Sequence, residues 1–173
     1  MEKKSTFIPA LQFGLLTGLA MIVYTLIMYL VGVGMHSSWN LIVYLFLLGG
    51  IYWGMSNIRE KQLDGVMPYG KAFGVGFWMA FFAAILLGIF TFFYLKYIDT
   101  TALSNELAEA ENKILASNPN ISDQDLKKAL DMMKMFATPV ARAIIGFFWY
   151  LIAGTIFSLI IAIFARREDR TLA

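Results

Sequence analysis

The sequence predicts an all-α integral membrane protein. Its architecture is four transmembrane helices with an extracytoplasmic amphipathic helical hairpin between helices 3 and 4, forming one membrane domain over residues 1–173. Three observations predict it. First, hydrophobic residues make up 59% of the chain and charged residues 15%, against about 45–50% and about 25% in soluble domains. Mean hydropathy is +0.66, and a chain this small has too little interior to hide that much apolar side chain from water. Second, charge is absent from four long stretches: 31 residues between Lys4 and His36, 22 between His36 and Arg59, 24 between Lys71 and Lys96, and 23 between Arg142 and Arg166. A helix needs about 20 apolar residues to cross a hydrocarbon core of about 30 Å, and a charge at mid-bilayer costs about 2.5–3.5 kcal/mol. Third, the single extended polar segment, 98–138, carries helix start and stop signals.

The spans are read at about 8–33, 39–58, 72–96 and 139–165. The first is too long for the apolar core of a signal peptide, about 7–15 residues, and no small-x-small cleavage site follows it, so it is expected to stay as an anchor. The runs are continuously apolar and do not alternate, which excludes a barrel. In the polar segment, Ser122-Asp-Gln-Asp125 resembles a capping box with Asp in the Glu position. Leu126, Ala129, Leu130, Met133 and Phe136 then form one helical face, and Leu103, Leu107, Ala110, Ile114 and Leu115 form another. Asn118-Pro119-Asn120 separates the two. The first arm is read either as its own helix or as a continuation of span three. Thr138-Pro139 supplies an N-cap and a first-turn proline for span four. The two apolar faces are expected to pack on each other and on the membrane.

Lys and Arg set the orientation. Lys3, Lys4, Arg59, Lys61, Lys71, Arg166, Arg167 and Arg170 fall on one side of a four-span chain. The Gly34–Ser38 loop has neither residue type, and the long loop holds five lysines against seven acids. Both termini are therefore expected in the cytoplasm.

Small residues form ladders. Ala72, Gly76, Ala80, Ala84 and Gly88 recur every fourth position in span three, Gly14 and Gly18 in span one, Gly50 and Gly54 in span two, and Gly154, Ser158 and Ala162 in span four. Close backbone approach along such stripes drives helix association in lipid. They suit packing within the bundle, or a seam for a second copy or another membrane protein. Phe81 and Phe82 point away from the ladder and are expected to tolerate Leu. Pro9-Ala-Leu-Gln-Phe-Gly14 and Pro68-Tyr-Gly-Lys-Ala-Phe-Gly74 are weakly alike, as in transporters with repeats, though chance explains so short a match.

No chemistry-bearing constellation stands out. Cys is absent and His36 is the one histidine, which excludes disulfides, thiolate nucleophiles, Cys-ligated zinc and multi-histidine metal sites. A net charge of +2 does not indicate a nucleic-acid partner. Met132, Met133 and Met135 include a soft-metal ligand type, but adjacent helix positions point about 100° apart, and filling apolar gaps is the simpler role. His36 and Trp39 sit in a short loop expected at the bilayer edge. Arg142 is expected to snorkel to the extracytoplasmic interface. Trp39, Tyr94 and Tyr97 would form an aromatic belt on that side, and Trp53 and Tyr69 on the other. Gln12, Asn40 and Asn57 lie near span ends. No ionisable residue stands near the middle of a span, where coupled transporters need one. No catalytic, cofactor-binding or metal residue is assigned.

The Phe-Gly-x-x-x-Gly stretch of span one, Tyr69-Gly-Lys-Ala-Phe-Gly-Val-Gly-Phe77, the exit Tyr97-Ile-Asp99, the Met-rich loop helix and the Thr-Pro before the last span together resemble a bacterial membrane family of unknown function, the DUF 4199 type. The resemblance covers nearly the whole chain, with Thr100 where the family often has Pro. It implies a four-helix inner-membrane protein of Gram-negative bacteria, and it brings no activity, cofactor or site residue. The leading expectation is a non-enzymatic multi-pass protein acting through helix packing with itself or other membrane components. The alternative is a small oligomeric transporter or channel for an uncharged or unknown solute.

Overall fold

The computed structural model describes residues 5–33 and 38–167, with Asn40 described in its backbone alone. Lys3, Lys4, the loop from Gly34 to Ser37 with His36, the Asn40 side chain and Arg170 lie outside the described residues. The described residues form six α-helices: α1 Phe7–Leu30, α2 Ile42–Gln62, α3 Tyr69–Phe93, α4 Ala102–Ser117, α5 Asp123–Phe136 and α6 Pro139–Ala165. Among the described residues there is no strand, only one isolated antiparallel bridge between Met67 and Arg167. Among the described residues, three helical segments are long and apolar enough to cross a membrane: Phe7–Leu30, Tyr69–Ile98 and Pro139–Ala165. The chain divides into two compact units, Met1–Leu87 with Phe147–Ala173, and Gly88–Gly146.

The helix limits have local causes. α1 stops at Leu30, short of the expected 33, because Gly32 adopts φ +77°. Gly32 N–H donates to Tyr29 O at 2.9 Å and Val33 N–H to Met28 O at 2.9 Å, the paired bonds of a Schellman closure. α2 starts at Ile42 and not at 39, since Ser38–Leu41 winds as a tighter 3-10 turn. Its far end runs on through Asn57, Arg59, Glu60, Lys61 and Gln62, which lowers its average hydropathy below that of the other long helices. α3 begins at Tyr69, earlier than expected, directly after Pro68. It closes in a π turn, Tyr94–Ile98. α6 matches its expected limits, with the Thr138 hydroxyl accepting from Ala141 N–H at 3.2 Å.

In the first unit, α3 uses two parallel faces. Ala72, Gly76, Ala80 and Ala84 are buried, as are Val75, Met79, Ala83 and Leu87. A Cβ on Gly154 of α6 would stand 2.5 Å from the Ala80 Cβ, and one on Gly76 would stand 2.6 Å from the Ser158 Oγ. On the other face, a Cβ on Gly14 of α1 would lie 2.6 Å from the backbone oxygen of Met79, and one on Gly18 would lie 3.3 Å from the Ala83 Cα. Gly54 of α2 faces the Met79 side chain, and Gly50 faces Thr17 of α1. The ladder steps at Gly14, Gly18, Gly50, Gly54, Gly76 and Gly154 thus close on neighbouring helices within the chain. Outward positions carry large apolar side chains, among them Leu19, Val23, Leu45, Tyr52, Ile152 and Ile156.

Phe82 corrects an expectation. It is half-buried, with its ring 5.5 Å from Phe7 and 5.9 Å from Trp78, so Leu at this position removes ring contacts. The weak repeat has no structural counterpart at its glycines. Gly14 presses against α3, whereas nothing lies within 4 Å of a Cβ built on Gly74.

In the second unit, α4 and α5 are separate helices interrupted at Asn118–Ser122, and α4 does not continue α3, because the chain breaks at Asp99–Thr101. Neither helix has a fully buried residue. Leu103, Leu107, Ala110 and Ile114 of α4 and Leu126, Ala129 and Leu130 of α5 are half-buried, while Met132, Met135 and Phe136 are exposed. Ser122 caps α5 by accepting from Asp125 N–H at 3.2 Å, and its hydroxyl donates to the Asp125 carboxylate at 2.8 Å. That second bond differs from a capping box, in which a longer acid reaches back to the N-cap N–H.

Two expected outcomes follow from this packing. Ala80→Leu should cost about 1–3 kcal/mol by overpacking and lower the melting temperature in detergent, whereas Ile152→Leu on the outward face should leave it unchanged. Ser122→Ala should cost about 1 kcal/mol, visible as faster hydrogen exchange confined to the first turns of α5.

Candidate functional site

Polar side chains converge at two places, one in each unit. The first is a junction of three chain segments around Arg59. This residue lies near the end of α2 and is 8% exposed. Its Nη1 donates to the backbone oxygen of Ala165, the last residue of α6, at 3.0 Å, and its Nη2 pairs with Glu60 at 3.1 Å. The last carbonyls of a helix have no partner within it and carry the negative end of its dipole. A guanidinium there satisfies one orphan acceptor and complements the charge. The connection after α2 folds back to the same point. Asp64 at φ 51° and Gly65 at φ 83°, with Val66 N–H donating to Leu63 O at 3.0 Å, make a turn with two left-handed residues, the pattern of type I′. Met67, fully buried, then exchanges both backbone hydrogen bonds with Arg167 at 2.9 Å each. Lys61, Arg166 and Arg167 are exposed and Lys71 is half-buried.

The second place centres on Arg142 in the first turns of α6. Its Nη2 forms an ion pair with the Glu106 carboxylate of α4. Glu106 retains 19% side-chain exposure and Arg142 32%. The expectation for Arg142 was snorkelling to an interface; the structure adds an acid of α4 that meets it. At the end of α3, Tyr94 is buried and its hydroxyl donates to Asp99 at 3.2 Å, while Thr101 donates to the other Asp99 oxygen at 3.3 Å. Tyr94 therefore leaves the expected aromatic belt, of which Trp39 and Tyr97 remain exposed. Lys96 lies 5.2 Å from the ring centres of both Phe92 and Tyr97, within cation–π range. The Nε atoms of Arg59 and Arg142 are buried without an acceptor, so each guanidinium works through its terminal nitrogens.

On the other expected belt, Trp53 is exposed and edge-on to Phe13 at 5.2 Å, and the Tyr69 hydroxyl donates to Leu159 O at 3.4 Å. Gln12 is exposed and Asn57 half-buried. Met132, Met133 and Met135 are exposed on α5, and among the described residues no three of His, Asp and Glu gather where a metal ion could be held. The buried hydroxyls of Thr17 and Ser158 and the half-buried ones of Thr25 and Thr155 turn to their own helices. Thr17 donates to Phe13 O at 2.7 Å, Thr25 to Met21 O at 2.9 Å, Thr155 to Leu151 O at 2.7 Å and Ser158 to Gly154 O at 2.7 Å.

The sequence reading used Arg59 as a topology marker alone and missed its place at the helix end. The available signal was its position directly after Ile58, on a face continuous with Ile51 and Met55, which are buried. Glu106 was missed because nothing local in α4 distinguishes it from Glu109 and Glu111.

A family profile described as "Protein of unknown function (DUF4199)" matches residues 12–167. The chain belongs to the DUF4199 family. The match spans both units, and with them Arg59, the Met67–Arg167 bridge and the Arg142–Glu106 pair. No curated protein and no solved structure matches this DUF4199 chain.

Replacing Arg59 with Met keeps the stem and removes the donor, leaving the Ala165 carbonyl unpaired. The expected loss is about 1.5–3 kcal/mol, read as a lower melting temperature in detergent. Lys113→Gln, at an exposed i,i+4 surface pair, should change stability by about 0.5 kcal/mol or less.

Proposed function

We propose that this is a non-enzymatic, four-span protein of a bacterial inner membrane, with both termini cytoplasmic. Residues 98–138 would stand on the opposite side, and its role would be association with other membrane components. One observation carries the reading: the small-residue faces and buried hydroxyls of the first unit are all engaged within the chain. Thr17 and Ser158 bond to the carbonyl four residues back, and the glycine steps close on neighbouring helices. A solute path needs polar groups converging across the bundle at one depth. Thr17 and Ser158 are directed along their own helices, and a side-chain pair between helices of this unit, Trp149 Nε1 donating to the Tyr44 hydroxyl at 2.6 Å, is exposed. The surfaces left for partners are the outward apolar faces and the exposed end of α5 at Met132, Met135 and Phe136.

Length supports α2 as the fourth span. From Ile42 to Ile58 it rises about 25 Å, and the 3-10 turn Ser38–Leu41 adds about 8 Å, together about the thickness of a hydrocarbon core. Leu45, Leu48 and Tyr52 on α2 are exposed, as residues facing lipid are. For α6, counting about 20 residues back from Arg166 puts Arg142 beyond the hydrocarbon, where an ion pair is affordable.

The chain has no cysteine, so single cysteines at Ser5, Ser117 and Thr171 can be probed in intact cells with an impermeant thiol reagent. Ser117 should label directly, and Ser5 and Thr171 only after permeabilisation. Three spans would place the termini on opposite sides, so labelling of one terminal position alone in intact cells would overturn the four-span reading, and labelling of both would overturn the cytoplasmic termini.

A further inference from the structure

We infer that the cationic junction at the ends of α2 and α6 is a binding site for the headgroup of an acidic phospholipid. The inference rests on the reading of the chain as a membrane protein and goes beyond it by naming a ligand. Three chain segments meet there through fixed contacts: Arg59 on the last carbonyl of α6 at 3.0 Å, and Met67 paired with Arg167 through two backbone bonds of 2.9 Å. These contacts bring Lys61, Lys71, Arg166 and Arg167 to one end of the first unit. None of these four makes a salt bridge to another described residue, whereas Arg59 is engaged by Ala165 and Glu60. Arg59 is accordingly the positioning residue, and the exposed Lys61, Arg166 and Arg167 are the ligand-facing groups, with the half-buried Lys71 beside them in the fold.

Two features select a lipid over a free anion. The cations stand at helix ends where headgroups lie. Directly before them on α6, Ile160, Ile163 and Phe164 are 50%, 54% and 75% exposed, giving an acyl chain an apolar wall beneath a headgroup held by Arg166 and Arg167. Basic clusters flanking membrane helices attract anionic lipids at about 1 kcal/mol per Lys or Arg, which corresponds to about fivefold in affinity.

The test uses the full chain purified in a zwitterionic detergent, titrated separately with phosphatidylglycerol, phosphatidylcholine and glycerol 3-phosphate. Binding is followed by native mass spectrometry and by melting temperature. Phosphatidylglycerol should bind and raise the melting temperature, and the other two should do neither. Arg167→Gln should weaken phosphatidylglycerol binding about fivefold, and Arg166→Gln with Arg167→Gln should weaken it further. Arg167 joins Met67 through its backbone, so these variants should melt like the parent without lipid. Lys127→Gln with Lys128→Gln on α5 should bind like the parent. Equal binding of phosphatidylcholine overturns the inference. So does equal binding of glycerol 3-phosphate, which would mark a free-anion site, and so does undiminished binding by the Arg166/Arg167 variant. Binding is read in detergent and requires neither four spans nor cytoplasmic termini, so its failure and a failed topology assay are distinguishable.

Discussion

Helices surrounded by lipid gain nothing from burying apolar side chains against one another, because the tails are as apolar as leucine. What holds them is close backbone approach, and here α3 is where it happens. It offers one face of Ala and Gly to α6 and a second, at Met79 and Ala83, to the glycines of α1 and α2. Gly14 lies against a backbone oxygen that cannot swing aside, so the α1–α3 approach depends on a missing Cβ. α3 is also the most buried of the three long apolar segments, 39% of its apolar window against 22% for each of the others.

The same solvent governs the polar groups. A hydroxyl in hydrocarbon must find an acceptor, and Thr17, Thr25, Thr155 and Ser158 each find one a turn back on their own helix. The end of α6 presents carbonyls without intrahelical partners, and Arg59 reaches across to one of them. A stable interior and a polar end thus both follow from the cost of leaving a buried polar group unpaired, which these hydroxyls and the Arg59 terminal nitrogens meet. Chemistry able to meet partners is left to the helix ends, the outward faces and the α4–α5 pair.

The long apolar helices were legible because charge cannot be placed at mid-bilayer, which leaves gaps that survive any packing arrangement. α6, opened by Thr138-Pro139 and closed before Arg166, was read to the residue. The α4 and α5 stripes and the Pro119 break were equally local. α2 was read less well: its polar final turns and 3-10 beginning come from how the chain enters and leaves the helix. The span-three ladder showed that something must lie close, and not what. Tyr94 looked like an interfacial aromatic and is buried on Asp99; Arg142 looked solitary and meets Glu106, 36 residues away.

Composition and the spacing of charges by themselves determined the helical class and the long apolar segments, and short local patterns carried the two polar helices and the resemblance to DUF4199, because each rests on residues close in sequence. Tertiary structure alone decided which ladder faces which helix, that Phe82 packs on Phe7, and that Arg59 closes α6 while Met67 pairs with Arg167. Those outcomes join residues up to about a hundred positions apart, and the identity of a partner at that range depends on helix crossing and rotation, which a one-dimensional pattern of small and apolar residues leaves open.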